Sequence, residues 1–211
     1  MIKIDVFSDT VCPWCYIGKK RLDKAISKFS HEEFKITWRP FQLNPNMQAD
    51  GMDRKEYLVS KFGSEDGANT VYENIHNEGL KENIDFQFDK IQVTPNSFNS
   101  HRLLALAYQK NLQNDVIEDL FQSYFLKGMD IGDPTILLDI TKNHQINEDE
   151  FKQYLTDKNN IEPLANEELE ARRMGINSVP TFIVNQQLVI NGAQQVENFE
   201  LIFSKILSKV H

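Results

Sequence analysis

Cysteine occurs twice in this chain of 211 residues, and the two stand three apart in "DTVCPWCYIG", Asp9 to Gly18. What flanks them fixes the local fold. Ile2 to Phe7 reads as a short buried strand, and Pro13 suits a first helical turn, where its missing N–H would be unpaired anyway. Cys15, Gly18, Leu22, Ala25, Ile26 and Phe29 then recur on one face at helical spacing. Phe34, Ile36 and Trp38 alternate with Lys35, Thr37 and Arg39 as a strand with one polar face would, and Pro40 closes it. The pair therefore lies at the start of a helix that joins two strands.

Positions i and i+3 share a helix face, so the two sulfurs can meet in a disulfide with little backbone distortion. So local a crosslink constrains little of the unfolded chain, which makes its value one of opening and closing. The helix N-terminus supplies unpaired N–H groups and a partial positive charge that stabilise a thiolate at Cys12, the expected nucleophile. Cys15, one turn further on the apolar face, is expected to be buried and to resolve a mixed disulfide by attacking Cys12. Gly18 either admits close packing or is a tolerated helical glycine. A structural zinc site would need a second Cys or His pair, but the histidines (31, 76, 101, 144, 211) are scattered singly, so no metal is expected.

After the polar passage Leu43 to Asp53 the strand signal disappears for more than a hundred residues. Asp133-Pro134 reads as a cap and first turn, Asn147 with Glu150 as a capping box, and Ile117, Leu120, Phe121 and Tyr124 as a buried stripe. "HRLLALAY", His101 to Tyr108, is apolar on most faces, like a central helix. Strand character returns at Thr181 to Val184, turns at Asn185 to Gln187 and continues at Leu188 to Ile190. A last helix carries Val196, Phe199, Phe203, Ile206 and Val210. The order is β-α-β, a helical block, then α-β-β-α.

A formal charge of −8 and a pI near 5.2 argue against a phosphate-tracking surface, so no nucleic-acid partner is expected. The basic runs Lys19-Lys20-Arg21 and Arg172-Arg173 read as solvated helix faces. The first residues lack a signal-peptide core, and no apolar run approaches the ~20 residues of a membrane span. The expectation is a cytoplasmic chain with no membrane partner, and a cysteine pair there is catalytic more often than structural.

Cys-x-x-Cys after a first strand, with "VPTFIV" opening a late hairpin, resembles the thioredoxin fold. The helical block between the halves is similar to that of the DsbA family. "FSDTVCPWCYIGKKRL", "RPFQLNPNM", "NSFNSHRLLALAYQ" and "VPTFIVNQQLVINGAQ" further resemble its cytoplasmic FrnE-like branch of dithiol-disulfide oxidoreductases or isomerases. The resemblance implies an α/β thioredoxin-like fold with a large all-helical insertion. Residues 1–44 and 163–211 would form the thioredoxin-like parts and 45–162 the insertion. It implies Cys12 as attacking thiolate, Cys15 as resolving thiol, and Pro180 as a cis-proline. Pro13, Trp14, Val179 and Pro180 would border the substrate, the main chain of Val179 pairing with an extended peptide. Trp14 stands where periplasmic relatives commonly carry histidine, so a charge that favours strong oxidation is missing. His101 and Arg102 match a stretch that faces the active site in relatives. His101 nevertheless shares a stripe with Phe98, Ala105 and Tyr108, so it is expected to be a satisfied core histidine outside the catalytic set.

The function implied is thiol-disulfide exchange with protein or small-molecule partners, with no cofactor beyond the Cys12–Cys15 pair and glutathione as a candidate co-substrate. The alternative is a glutathione-dependent transferase or isomerase of the kappa-class or hydroxychromene carboxylate isomerase type. Those relatives generally carry serine at the position of Cys12 and lack the resolving cysteine. A third possibility is a non-enzymatic redox sensor.

Overall fold

The computed structural model describes residues 1–30 and 33–208. Strand β1 (Ile2–Ser8) turns Ile2, Ile4 and Val6 to one face, and helix α1 (Pro13–Ile26) lays Cys15, Tyr16, Leu22, Ala25 and Ile26 into the same core. Strand β2 (Phe34–Pro40) runs parallel to β1, from Ile2 opposite Phe34 to Ser8 opposite Pro40. A parallel neighbour needs a crossover, and α1 provides it.

Between β2 and the second half of the sheet come β3 (Met52–Asp53), α2 (Arg54–Phe62), α3 (Glu65–Lys81) and a 3-10 turn (Phe88–Lys90). They are followed by β4 (Val93–Thr94), α4 (Phe98–Gln109), α5 (Gln113–Phe125), α6 (Pro134–Asn143) and α7 (Glu148–Thr156). Asp133 caps α6 by accepting from the Thr135 N–H, and Asn147 caps α7 by accepting from Asp149 and Glu150. The stripe Ile117, Leu120, Phe121 and Tyr124 is fully buried, and Tyr16 of α1 stacks on Phe121 at 5.0 Å.

The insertion is not wholly helical. β3 and β4 form a two-residue antiparallel ladder, Met52 opposite Thr94 and Asp53 opposite Val93. Two residues are too few to show alternation, so sequence periodicity is blind to the pair. Gly51 permits it: at φ +74° it approaches so closely that a Cβ would lie 2.6 Å from the Thr94 carbonyl oxygen.

Helix α8 (Ile161–Arg173) ends at Gly175, φ +87°, and leads into β5 (Thr181–Val184), β6 (Leu188–Asn191) and α9 (Val196–Leu207). The sheet order is β2-β1-β5-β6, with β5 antiparallel to both neighbours. Asn185 and Gln186, both at positive φ, make the hairpin turn. The Asn185 side chain accepts from Lys3 N–H and its own N–H donates to the Lys3 carbonyl, pinning the turn to the start of β1. Phe199 and Phe203 of α9 are buried, whereas Val210 lies outside the described residues.

On the polar face of β2, Lys35 is exposed and Thr37 is buried, and Arg39 pairs with Asp5 and with Glu167 of α8, each at 2.7 Å. The run Lys19-Lys20-Arg21 departs from expectation: it is not a solvated face, since Lys19 and Arg21 are only 3% and 2% exposed. Lys19 lies between Asp23 and Glu118 of α5, and Arg21 donates to Glu78 of α3, to Glu82 and to the Ala193 carbonyl. The insertion brings carboxylates onto α1, which lets these cations be buried in ion pairs.

Candidate active site

Cys12 is the cap residue of α1, extended at φ −96°, ψ 113°, with Pro13 in the first turn and no acidic residue there. Its N–H donates to the Asp9 carbonyl at 3.0 Å, and its own carbonyl accepts from Cys15 N–H. The partial positive charge of the helix end therefore falls on Cys12, with no acidic side chain in the first helical turn. Cys12 and Cys15 are free thiols, and the Cys12 Sγ donates to the Val179 carbonyl oxygen across 3.8 Å.

Cys15 has no exposed surface. Burial pushes its thiol well above the usual range, and the contact with Cys12 adds to this, while the Ser8 hydroxyl and the Asp9 main chain pull the other way. Both thiols are buried, Cys12 at 4% exposure, but their environments differ: Cys12 caps a helix end and faces a carbonyl, and Cys15 lies one turn deeper with no exposed surface.

The Val179–Pro180 bond is cis. Pro180 is buried, Val179 is half-buried, Pro13 is buried and Trp14 is 37% exposed. Cys12 and Val179 are brought together directly, and Pro180 is brought to α1 through Gly18. A Cβ on Gly18 would lie 3.0 Å from Pro180 Cγ and 3.6 Å from Ala193 Cβ, so this glycine serves close packing.

The structure revises the reading of His101. It is buried, as expected for the core, but its Nε2 has no hydrogen bond. That nitrogen stands 3.5 Å from the Oδ1 of Asp9, itself fully buried. Arg102 donates instead to the carbonyls of Tyr154, Leu155 and Asp157 at the C-terminal end of α7. Ser8 and Asp9 were passed over in the sequence; an acid immediately upstream of the cysteines is the signal that marks Asp9. A cavity of about 190 Å³ borders His101 on β2 and α4, lined also by Trp38, Gln113, Tyr108 and Glu167. Among the described residues no group of three or more His, Cys, Asp or Glu side chains could hold a metal ion, and no helix is long and apolar enough to cross a membrane.

A four-stranded mixed sheet with a dithiol at the first helix and a cis-proline opening the late hairpin defines a thioredoxin-fold protein with a helical insertion. Residues 3–204 match the DSBA-like thioredoxin domain, and the chain belongs to that family. Among solved structures it is similar to the probable DsbA oxidoreductase SCO1869 from Streptomyces coelicolor, at TM-score 0.89 and 24% identity, covering 99% of this chain and 91% of that one. It is similar to a 2-hydroxychromene-2-carboxylate isomerase at TM-score 0.77 and 12% identity, covering 98% and 97% of the two chains. It is also similar to the cytosolic disulfide reductase DsbM from Pseudomonas aeruginosa with GSH, at TM-score 0.70 and 13% identity, covering 98% and 99%.

Proposed function

We propose that this protein is a thiol-disulfide oxidoreductase or isomerase that exchanges disulfides with protein or small-molecule thiols through Cys12-Pro-Trp-Cys15. The observation that carries the reading is the asymmetry of the pair: Cys12 at the helix end against the Val179 carbonyl, Cys15 fully buried behind it. In the reducing direction the Cys12 thiolate attacks a substrate disulfide, forming a mixed disulfide and releasing one substrate thiolate. Cys15, deprotonated, then attacks Cys12 Sγ; the Cys12–Cys15 disulfide forms, the second substrate thiolate leaves and takes up a proton, and two electrons have passed to the substrate. The reverse sequence oxidises a dithiol.

Trp14, Pro13, Val179 and Pro180 are the proposed substrate border, with the Val179 main chain pairing with an extended segment. Glutathione is the proposed small-molecule partner, supported by the glutathione-bound DsbM neighbour, and that neighbour's cytosolic description also supports a cytoplasmic setting. The isomerase neighbour keeps the transferase or isomerase reading in play, and the buried second thiol weighs against it, since such chemistry has no need of a resolving cysteine. Parallel assays separate the readings. Dithiol-driven reduction of a protein disulfide, lost in Cys12→Ala, is expected; glutathione conjugation or isomerisation without disulfide exchange would overturn the proposal, and a sensor would fail both assays.

A further inference from the structure

Asp9 stands between the cysteines and helix α4 of the insertion. Its carbonyl accepts the Cys12 N–H, and its main chain acts on the Cys15 thiol. Its carboxylate is fully buried. Oδ2 accepts the Leu43 N–H at 2.6 Å, and Oδ1 accepts the Val11 N–H at 3.4 Å. Among the described residues the one Lys, Arg or His side chain within ion-pair distance of Asp9 is His101, which reaches it from α4 at 3.5 Å.

The turn is gripped a second time by the same helix. Thr10 Oγ1 and Ser100 Oγ share a hydrogen bond of 2.6 Å, and the Ser100 hydroxyl also donates to the Ser97 carbonyl. Ser100 and His101 thus hold consecutive residues of the β1–α1 turn. Each contact is sequestered from solvent, where electrostatic interactions act strongly. His101 Nε2 has no other partner, so its available interaction in the folded protein is with Asp9. The contact is long for a hydrogen bond, as polar contacts in unliganded sites often are before substrate tightens them.

We propose that His101 is a positioning residue for the cysteine pair: held against the Asp9 carboxylate, it fixes the turn that carries Cys12 and so governs how readily Cys15 reaches the Cys12 sulfur in the resolving step. The inference rests on the dithiol reading above. In that step a Cys12–S–S–R bond breaks, the Cys12–Cys15 bond forms, the Cys15 proton passes to solvent, and RS⁻ departs. His101 touches none of the reacting atoms. Its influence runs through Asp9, whose main chain holds the Cys12 N–H and lies against the Cys15 thiol.

Stopped-flow reaction of the full chain with 5,5′-dithiobis(2-nitrobenzoate) separates the two steps, because attack by Cys12 releases one chromophoric thiolate and resolution by Cys15 releases the second. His101→Ala is expected to slow the second phase about tenfold or more, the scale on which small misplacements act, while leaving the first within about twofold. His101→Gln, whose amide N–H can still meet Oδ1, is expected to recover part of the loss, and Asp9→Asn to reproduce it. If His101→Ala does not fold, the Gln and Asn variants carry the comparison. Equal rates in wild type and variants, or both phases slowed alike in proportion to lost stability, would assign His101 a structural role only and overturn the inference. Release of a single equivalent by the wild type would overturn the dithiol reading, and this inference with it.

Discussion

Gly18 of α1 lies against Pro180: a Cβ at position 18 would stand 3.0 Å from Pro180 Cγ and 3.3 Å from Phe182 Cζ. Contacts that close leave no room for a methyl group without displacing the proline or the aromatic ring. Gly18→Ala is therefore expected to destabilise the fold by about 1–3 kcal/mol through overpacking, despite the better helix propensity of alanine. Denaturant unfolding of the two proteins measures this, and an alanine variant as stable as the wild type would show that the helix and hairpin shift apart freely.

The unequal settings of Cys12 and Cys15 predict unequal trapping. Cys15→Ala should accumulate long-lived mixed disulfides through Cys12, and Cys12→Ala should capture nothing. Non-reducing gels of each variant after exposure to a disulfide-bearing protein read the difference, and equal capture by both would reverse the assignment.

Glu118 gives the stability a defined acid limb. Burial pushes its carboxyl up, but Lys19 and Lys20, with the Gln122 amide, overcome this and hold it down at about 2. A carboxylate depressed in the folded state stabilises it above the unfolded value of about 4.3, and that contribution is lost as pH falls through about 2. Its size is on the order of 2–3 kcal/mol. Urea unfolding from pH 6 down to about pH 2 should show the wild type losing stability and Glu118→Gln losing less over the same window. Parallel curves for the two proteins would remove Glu118 from the acid limb.

Arg21 carries a heavier load, since it is 2% exposed and joins α1 to Glu78, to the nearly buried Glu82 and to the Ala193 carbonyl. Arg21→Met leaves those carboxylates without their shared cation, and a cost of about 3–5 kcal/mol is expected. Replacing Glu82 by Gln in the same background should recover part of it, which a double-mutant cycle measures.

The redox poise follows from what surrounds Cys12. The positive end of α1 lies at Cys12, whereas Trp14 adds no charge and no basic residue lies within the motif. A potential between about −270 mV, that of thioredoxin, and about −120 mV, that of DsbA, is expected. Equilibration in glutathione buffers with thiol alkylation tests it, and a value below thioredoxin's would show that the helix end does not control this pair.

Much of the site's frame was legible because it depends on spacing along the chain. Cys12 and Cys15 at i and i+3, Pro13 in the first turn, the caps Asp133 and Asn147, and the turn at Asn185 all act within a few residues of themselves. Their geometry is set by backbone conformation and local hydrogen bonds, which sequence pattern reports directly. The cis Val179–Pro180 bond was different: local sequence favours trans, and only resemblance to a known fold pointed to it.

What the sequence determined by itself was a strand, a helix opening on two thiols and a late hairpin, since each is a short-range choice. The tertiary structure alone decided that Lys19 and Arg21 are buried, that Gly18 is a contact with Pro180, that Met52–Asp53 and Val93–Thr94 pair, and that His101 meets Asp9 rather than an ordinary core partner. Each of these joins segments far apart in the chain. Whether a charge is solvated or paired, and whether a small residue is tolerated or required, depends on what the fold brings opposite it, and no local pattern encodes the identity of that neighbour.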